Sequence, residues 1–172
     1  MHKQYTPTTE EASWLRLADE LASHYHEGQK MYQSEEPYIT HVRDVATRVN
    51  LPRQKVVALL HDIIEDTTCT LEILQEKGFP SDILYAVQRL TKEDNVTYQM
   101  YIDRLDNPYP ISQLFTTDEE RRRGLASALM VKRADIIDHL DRKDTLKPSL
   151  KGRYERALLV LTDTIFYSLR HK

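Results

Sequence analysis

Six side chains have types and spacings that could do chemistry: His41, His61, Asp62, Glu65, Asp66 and Asp135. Four of them lie in one run, Val56 to Asp66, whose apolar residues recur at helical spacing. At about 100° per residue, His61, Asp62, Glu65 and Asp66 fall within an arc of roughly 140° on such a helix. Gln54 and Lys55 share that arc, and a solvated polar face is the ordinary explanation of this pattern. The placement of the acids is less ordinary. Three carboxylates crowd the last turns before Thr67-Thr68, where the helix dipole favours Lys or Arg. They repel the dipole and one another, and a bound cation would remove the conflict. On this helix alone, a metal site and a solvated face stand side by side.

The elements that must carry these residues are helices. The chain has 172 residues and four glycines, and it lacks alternating apolar runs joined by Asn-Gly or Asp-Gly turns. An all-α, single-domain bundle of roughly eight helices over residues 1–172 is expected. Such a chain buries about 70% of its unfolded surface without staples. Its net charge of −3 argues against a coat for nucleic acid. The single cysteine, Cys69, fits a reducing compartment. No signal peptide or membrane-length apolar run is seen, so a cytoplasmic protein is expected.

In chain order, a helix should start near Thr8 or Thr9 and end near Glu27-Gly28, packing through Trp14, Leu15, Leu17, Ala18 and Leu21. His24 and His26 near its end read as surface histidines. Gln29 to Thr40 is a loop, and a helix from Pro37 or Ile39 to Val49 carries His41 near its start. The central helix follows from Leu51-Pro52, then short helices over Leu71 to Glu76, Ser81 to Leu90 (capped by Ser81) and Thr97-Tyr98 to Leu105. Pro108 to Asp118 is irregular, either a lid or a connection. A long helix from Asp118 to about Asp144 carries Arg121, Arg122 and Arg123 on a solvated face. Leu125, Leu129, Ile136 and Leu140 form its core stripe. Lys132, Asp135, His139 and Arg142 share another face. The last helix, Ser149 to about Arg170, should pack through Leu158, Leu159, Leu161, Thr162, Ile165 and Leu169.

Together the clusters say more than each alone. His41, His61-Asp62 and Asp135 come from three separate helices, and two imidazoles with two carboxylates suit Mn²⁺, Fe²⁺ or Zn²⁺. Cys-x-x-Cys, His-Glu-x-x-His, a Gly-x-x-x-x-Gly-Lys phosphate loop and a Gly-x-Ser-x-Gly elbow are all absent from the sequence.

The order His, His-Asp, Asp resembles the HD-domain metal-dependent phosphohydrolases, an all-helical family. The likeness is closest to the guanosine tetraphosphate (ppGpp) hydrolase branch and its small stand-alone relatives. It is carried over residues 22–141 by His26-Glu27-Gly28-Gln29, Glu36-Pro37-Tyr38-Ile39-Thr40-His41, Ala58 to Thr67, Thr97-Tyr98 with Tyr101-Ile102, and Val131-Lys132-Arg133-Ala134-Asp135. The resemblance implies that His41, His61, Asp62 and Asp135 hold a divalent metal, with Mn²⁺ first and Fe²⁺ or Zn²⁺ as alternatives. It implies that Glu65 and Asp66 activate the attacking water, and that Tyr98 and Lys132 line the nucleotide and phosphate pocket. The expected partner is a small phosphorylated nucleotide rather than a nucleic acid polymer or a membrane, and a homo-oligomer is left open.

The chain departs from the family pattern in three places. The loop Arg that helps hold the nucleotide is missing, and Lys30 stands nearby with the charge but not the planar fork. His139 stands where the alarmone hydrolases carry Asn, and Ile136 where an Arg often follows the metal Asp. Lys30 and His139 are therefore the candidate replacements at the substrate. The expected activity is metal-assisted hydrolysis of a phosphate ester, first of a 3′-pyrophosphorylated guanosine nucleotide. The alternatives are another nucleoside phosphate or pyrophosphate, or a nucleotide-binding regulatory module without turnover.

Overall fold

Thr8 starts the chain's first helix as the sequence predicts, and its capping box shows why. Its hydroxyl accepts the Glu11 N–H at 3.2 Å, and the Glu11 carboxylate accepts the Thr8 N–H at 3.0 Å. In this computed structural model, residues 5–105, 107, 111, 114 and 116–170 are described, the last three by backbone alone. Among them are nine helical segments and no β-strand. They are α1 (Thr9–Tyr25), α2 (Tyr38–Thr47), α3 (Pro52–Leu60), α4 (Ile63–Asp66), α5 (Leu71–Glu76), α6 (Ser81–Leu90), α7 (Tyr98–Arg104), α8 (Asp118–Asp141) and α9 (Pro148–Arg170). The all-α expectation holds. No helix of the described residues is long and apolar enough to cross a membrane.

The main departure falls in the central helix. The run expected to be continuous to Asp66 breaks at His61-Asp62, and Asp62 takes φ −106° and ψ −1°. In an unbroken helix the Ala58 carbonyl would accept the Asp62 N–H. Here it accepts His61 Nδ1 at 2.7 Å. A side chain has taken a rung of the ladder, which favours a break. Gly28 ends the first helical region with φ +76°, the left-handed conformation its lack of a Cβ permits.

Smaller corrections follow. Ser81 is inside α6 rather than at its cap, which is Pro80; its hydroxyl donates to Glu120. Leu159 is 69% exposed and does not pack, whereas Leu161 is fully buried. The Leu169 side chain and most of the Pro108–Asp118 stretch lie outside the described residues.

Two apolar clusters meet at α8. One packs α1, α2, α3 and α6 against Ala128, Val131 and Ala134. The other packs α7 and α9 against Leu129 and Ile136, with Leu125 and Leu140 partly buried beside them. The predicted leucine stripe is thus only one of two buried sides. At about 100° per residue, Asp135, His139 and Lys132 project along the seam between those sides. Close approach on the α6 side rests on Gly124. A Cβ there would lie 2.6 Å from the Asp82 carbonyl oxygen and 2.9 Å from Tyr85 Cδ1. Alanine is the better helix former by about 1 kcal/mol. Even so, Gly124→Ala should lower unfolding stability by about 1–3 kcal/mol, the usual cost of overpacking. Denaturant melts would show it as a lower midpoint at unchanged slope.

Candidate metal centre and adjoining pocket

Three segments aim side chains at one point: the first turn of α2 (His41), the α3–α4 break (His61 and Asp62), and α8 (Asp135 and His139). His41 Nε2 lies 3.4 Å from Asp135 Oδ1 and 3.9 Å from Asp62 Oδ2. His61 Nε2 lies 2.9 Å from Asp62 Oδ2 and 3.8 Å from Asp135 Oδ1. Ligands about 2.1 Å from one ion must be separated by about 3.0 Å if adjacent and about 4.2 Å if opposite. These four separations fit that requirement closely. Three of the converging atoms, His41 Nε2, His61 Nε2 and Asp135 Oδ1, are buried without a hydrogen-bond partner. Buried polar atoms left so are costly, and a divalent cation would satisfy all three. His41, His61 and Asp62 form one cluster close enough to share an ion.

The outer contacts orient the donors. His61 Nδ1 must carry the proton, because the Ala58 carbonyl only accepts. His41 Nδ1 donates to Asp138 Oδ2 at 2.7 Å. Both rings therefore turn Nε2 inward, the arrangement that metal-bound histidines use. Asp138 is in turn gripped by Arg142 Nε at 2.6 Å and by Arg48 at 3.1 Å. Burial opposes its ionisation, but the bonds from His41 and Arg142 hold its carboxyl down at about 2. Tyr38 donates to Asp62 Oδ2 at 2.6 Å, and Lys132 to Asp135 Oδ2 at 2.8 Å. Asp138→Asn should therefore weaken metal binding 10–100-fold, the usual effect of losing such a partner. Titration calorimetry with Mn²⁺ would measure it.

Burial disfavours charge on both imidazoles, yet the carboxylates win. Asp62 and Asp135 lift His61 to about 10, and Asp135 and Asp138 raise His41. An incoming cation must displace these protons, so its binding should strengthen with rising pH.

A cavity opens beside this point. Tyr38, Tyr98, Tyr101 and Tyr154 wall it, with Lys132 and Lys92 among its cations and Glu65 and Asp66 at its rim. Lys132 Nζ sits 5.4 Å from the Tyr101 ring centre, a cation–π distance. The Tyr98 hydroxyl is buried without a partner, and burial pushes it up to about 12, so it stays a donor. Partial burial and the Asp62 and Glu65 carboxylates push Asp66 up to about 6. Glu65 accepts the Lys92 backbone N–H at 2.8 Å, which ties α4 to the chain after α6.

Of the residues singled out in the sequence, His41, His61, Asp62 and Asp135 come together, and Glu65, Asp66, Tyr98, Lys132 and His139 line the adjoining cavity. Lys30 does not join them: it is exposed and pairs with Glu35. His26, expected on the surface, is buried. Its Nδ1 donates to Gln29 Oε1 at 2.7 Å, and Gln29 Nε2 donates to the Asp66 carbonyl at 2.9 Å. This strut explains the His26-Glu27-Gly28-Gln29 motif and shows why a helix-end position did not mean exposure. Asp138, Arg48, Tyr38 and Tyr154 were not singled out. The signal for Asp138 was its i+3 spacing from Asp135 on one helix face.

Comparison with known proteins bears on the fold and the sequence as a whole. No family model matches the chain. It is 29% identical over 163 residues to a probable GTP pyrophosphokinase of Mycobacterium leprae, covering 92% of this chain and 19% of that protein. It is 29% identical over 156 residues to a guanosine-3′,5′-bis(diphosphate) 3′-pyrophosphohydrolase of Haemophilus influenzae, covering 88% of this chain and 21% of that protein. Against the bifunctional (p)ppGpp synthase/hydrolase SpoT of Escherichia coli the identity is 26%, over 90% of this chain and 22% of that one. The chain spans about a fifth of the length of these curated relatives. Among solved structures, a metazoan ortholog of SpoT that hydrolyzes ppGpp superposes with a TM-score of 0.63 at 20% identity, over 94% of this chain and 88% of that one. The fold is therefore that of this all-helical hydrolase. Sequence and fold together support the HD-domain, ppGpp hydrolase-like family that the motifs resemble.

Proposed function

We propose that this chain is a metal-dependent phosphohydrolase of a small nucleotide, with a (p)ppGpp-type 3′-pyrophosphate as its first candidate substrate. The observation that carries this reading is the convergence of three orphaned buried atoms, His41 Nε2, His61 Nε2 and Asp135 Oδ1, beside Asp62 and next to a tyrosine-lined cavity that holds Lys92 and Lys132. His41, His61, Asp62 and Asp135 would hold the ion, and their mixed nitrogen and oxygen set suits Mn²⁺, with Fe²⁺ or Zn²⁺ as alternatives. When bound, a divalent ion supplies Lewis acidity toward a phosphoryl oxygen and a lower pKa for water.

The chain's own residues do the rest. Lys132 and the Tyr98 hydroxyl offer donors to phosphate oxygens, and Lys132 offsets their charge. Asp66 stands at the cavity rim with a proton affinity suited to a general base near neutral pH. Glu65 holds α4, and so Asp66, in place through Lys92. Water attacks the phosphorus next to the 3′ oxygen, its proton passes to Asp66, and the bond from that phosphorus to the 3′ oxygen breaks. The products are pyrophosphate, which carries the water oxygen, and a 3′ hydroxyl that takes up a proton from Asp66 or solvent. A second reading, another nucleoside phosphate or pyrophosphate, is favoured by one observation: Lys30 is turned to Glu35 and does not reach the cavity.

The test is a panel of guanosine and adenosine phosphates with added Mn²⁺, scored for phosphate and pyrophosphate release, alongside metal content and melting temperature. The expected result is about one ion per chain, a raised melting temperature and pyrophosphate release from a guanosine 3′-pyrophosphate. Preference for another nucleotide would support the second reading. A melting temperature indifferent to Mn²⁺, Fe²⁺ and Zn²⁺, with no turnover, would overturn the proposal.

A further inference from the structure

We propose that His139 is a fifth protein ligand of the metal centre, so that the ion sits in a set of three imidazole nitrogens and two carboxylates. This rests on the four-ligand reading above and extends it. His139 Nε2 lies 3.3 Å from Asp135 Oδ1, within the separation required of two donors to one ion. The approach is not a hydrogen bond, because Asp135 Oδ1 has no hydrogen-bond partner. His41, Asp135 and His139 offer donor atoms within 4.8 Å of one another. They form a second cluster that shares His41 with the first.

The helix supplies the spacing. Asp135 and His139 stand at i and i+4 on α8, so their side chains share one face. The His139 ring is held from both sides: it lies 4.3 Å from the His41 ring at 31°, and 5.3 Å from the Tyr154 ring at 35°. The two rings restrain the imidazole, and its Nε2 stands beside the Asp135 carboxylate oxygen.

The consequence is chemical. A third imidazole moves the site's preference toward metals that favour nitrogen, such as Co²⁺ and Zn²⁺, and away from oxygen-loving Mn²⁺.

The experiment is titration of the full chain and its His139→Asn, His139→Gln and His61→Ala variants with Co²⁺ and with Mn²⁺. Calorimetry would give affinity, and visible absorption the Co²⁺ ligand field. Both His139 variants should bind Co²⁺ more weakly by more than the roughly 10–100-fold that follows loss of an outer partner, with displaced and altered Co²⁺ bands, and should lose less for Mn²⁺. Melting of the metal-free variants checks the fold, and Gln preserves most of the side chain's volume should Asn perturb it. Wild-type affinity and wild-type bands in both His139 variants, with Co²⁺ lost in His61→Ala, would overturn the fifth ligand and leave the four-ligand centre standing. No Co²⁺ or Mn²⁺ binding by the unaltered chain would overturn both.

Discussion

Asp62→Asn should remove metal and hydrolysis together. Asp62 Oδ2 is 2.9 Å from His61 Nε2 and 3.9 Å from His41 Nε2, so it faces both imidazoles. Burial opposes its charge, but the His61 imidazole holds its carboxyl well below the usual carboxylate range. It is thus an anion at any working pH. Asparagine fills the same space and can still accept the Tyr38 hydroxyl, now at 2.6 Å. What it removes is the charge that a divalent ion requires. The loss in affinity should exceed the 10–100-fold that follows loss of an outer partner, and turnover should fall to the uncatalysed background. Elemental analysis and a Mn²⁺-dependent melting shift read the first, and product release the second. A variant that keeps a full complement of metal would show that Asp62 is not a ligand.

Asp66→Asn should separate chemistry from metal. Asp66 sits a turn beyond Asp62 and need not touch the ion. Turnover should fall about 10²–10⁴-fold, the usual worth of a general base, while metal content and fold persist. The pH profile gives the sharper check. A base acts deprotonated, so activity should rise tenfold per pH unit up to a break near or below 6 and then level off; a bound cation lowers that break. In Asp66→Asn this rising limb should vanish. The stability of the metal-free protein carries the opposite sign. The folded pKa of about 6 lies above the ordinary 3.8, so this group's contribution is full below about pH 4 and is lost as pH rises through 6. Asp66→Asn should flatten that slope. Full activity in both Asp66→Asn and Glu65→Gln would reduce the acidic turn to a solvated helix end.

Much of this molecule was legible in its sequence because the cues are local. Thr8, Thr97 and Thr117 cap α1, α7 and α8, and threonine before an acidic or apolar turn announces a helix start. The four proposed metal ligands were found by type and order. What was hidden depends on chemistry between distant residues or on one unexpected bond. The break at His61-Asp62 follows from a side chain capturing the Ala58 carbonyl, which no apolar periodicity encodes. His26 lay at a helix end, yet a loop returns over it through Gln29 and Tyr38. Arg48 and Asp138 are ninety positions apart, and no local pattern pairs them. α8 conceals its role because it is buried on two sides, one of them built from small residues such as Gly124 and Ala128.

The guanidinium of Arg142 reaches Glu36 in the loop before α2, Asp44 on α2 and Asp138 on α8. That loop is also closed on itself, by Met31 N–H to Glu36 O at 2.9 Å and Tyr38 N–H to Gln29 O at 3.0 Å. One cation therefore binds three stretches of chain, and through Asp138 it fixes the tautomer of His41. Such parts open as a cooperative unit rather than piecemeal. In native-state hydrogen exchange, the amides of Met31 and Tyr38 should share one opening free energy with those of the last turn of α8. Filling the metal centre should slow all of them by the same factor, so the loop reports on an ion it never touches.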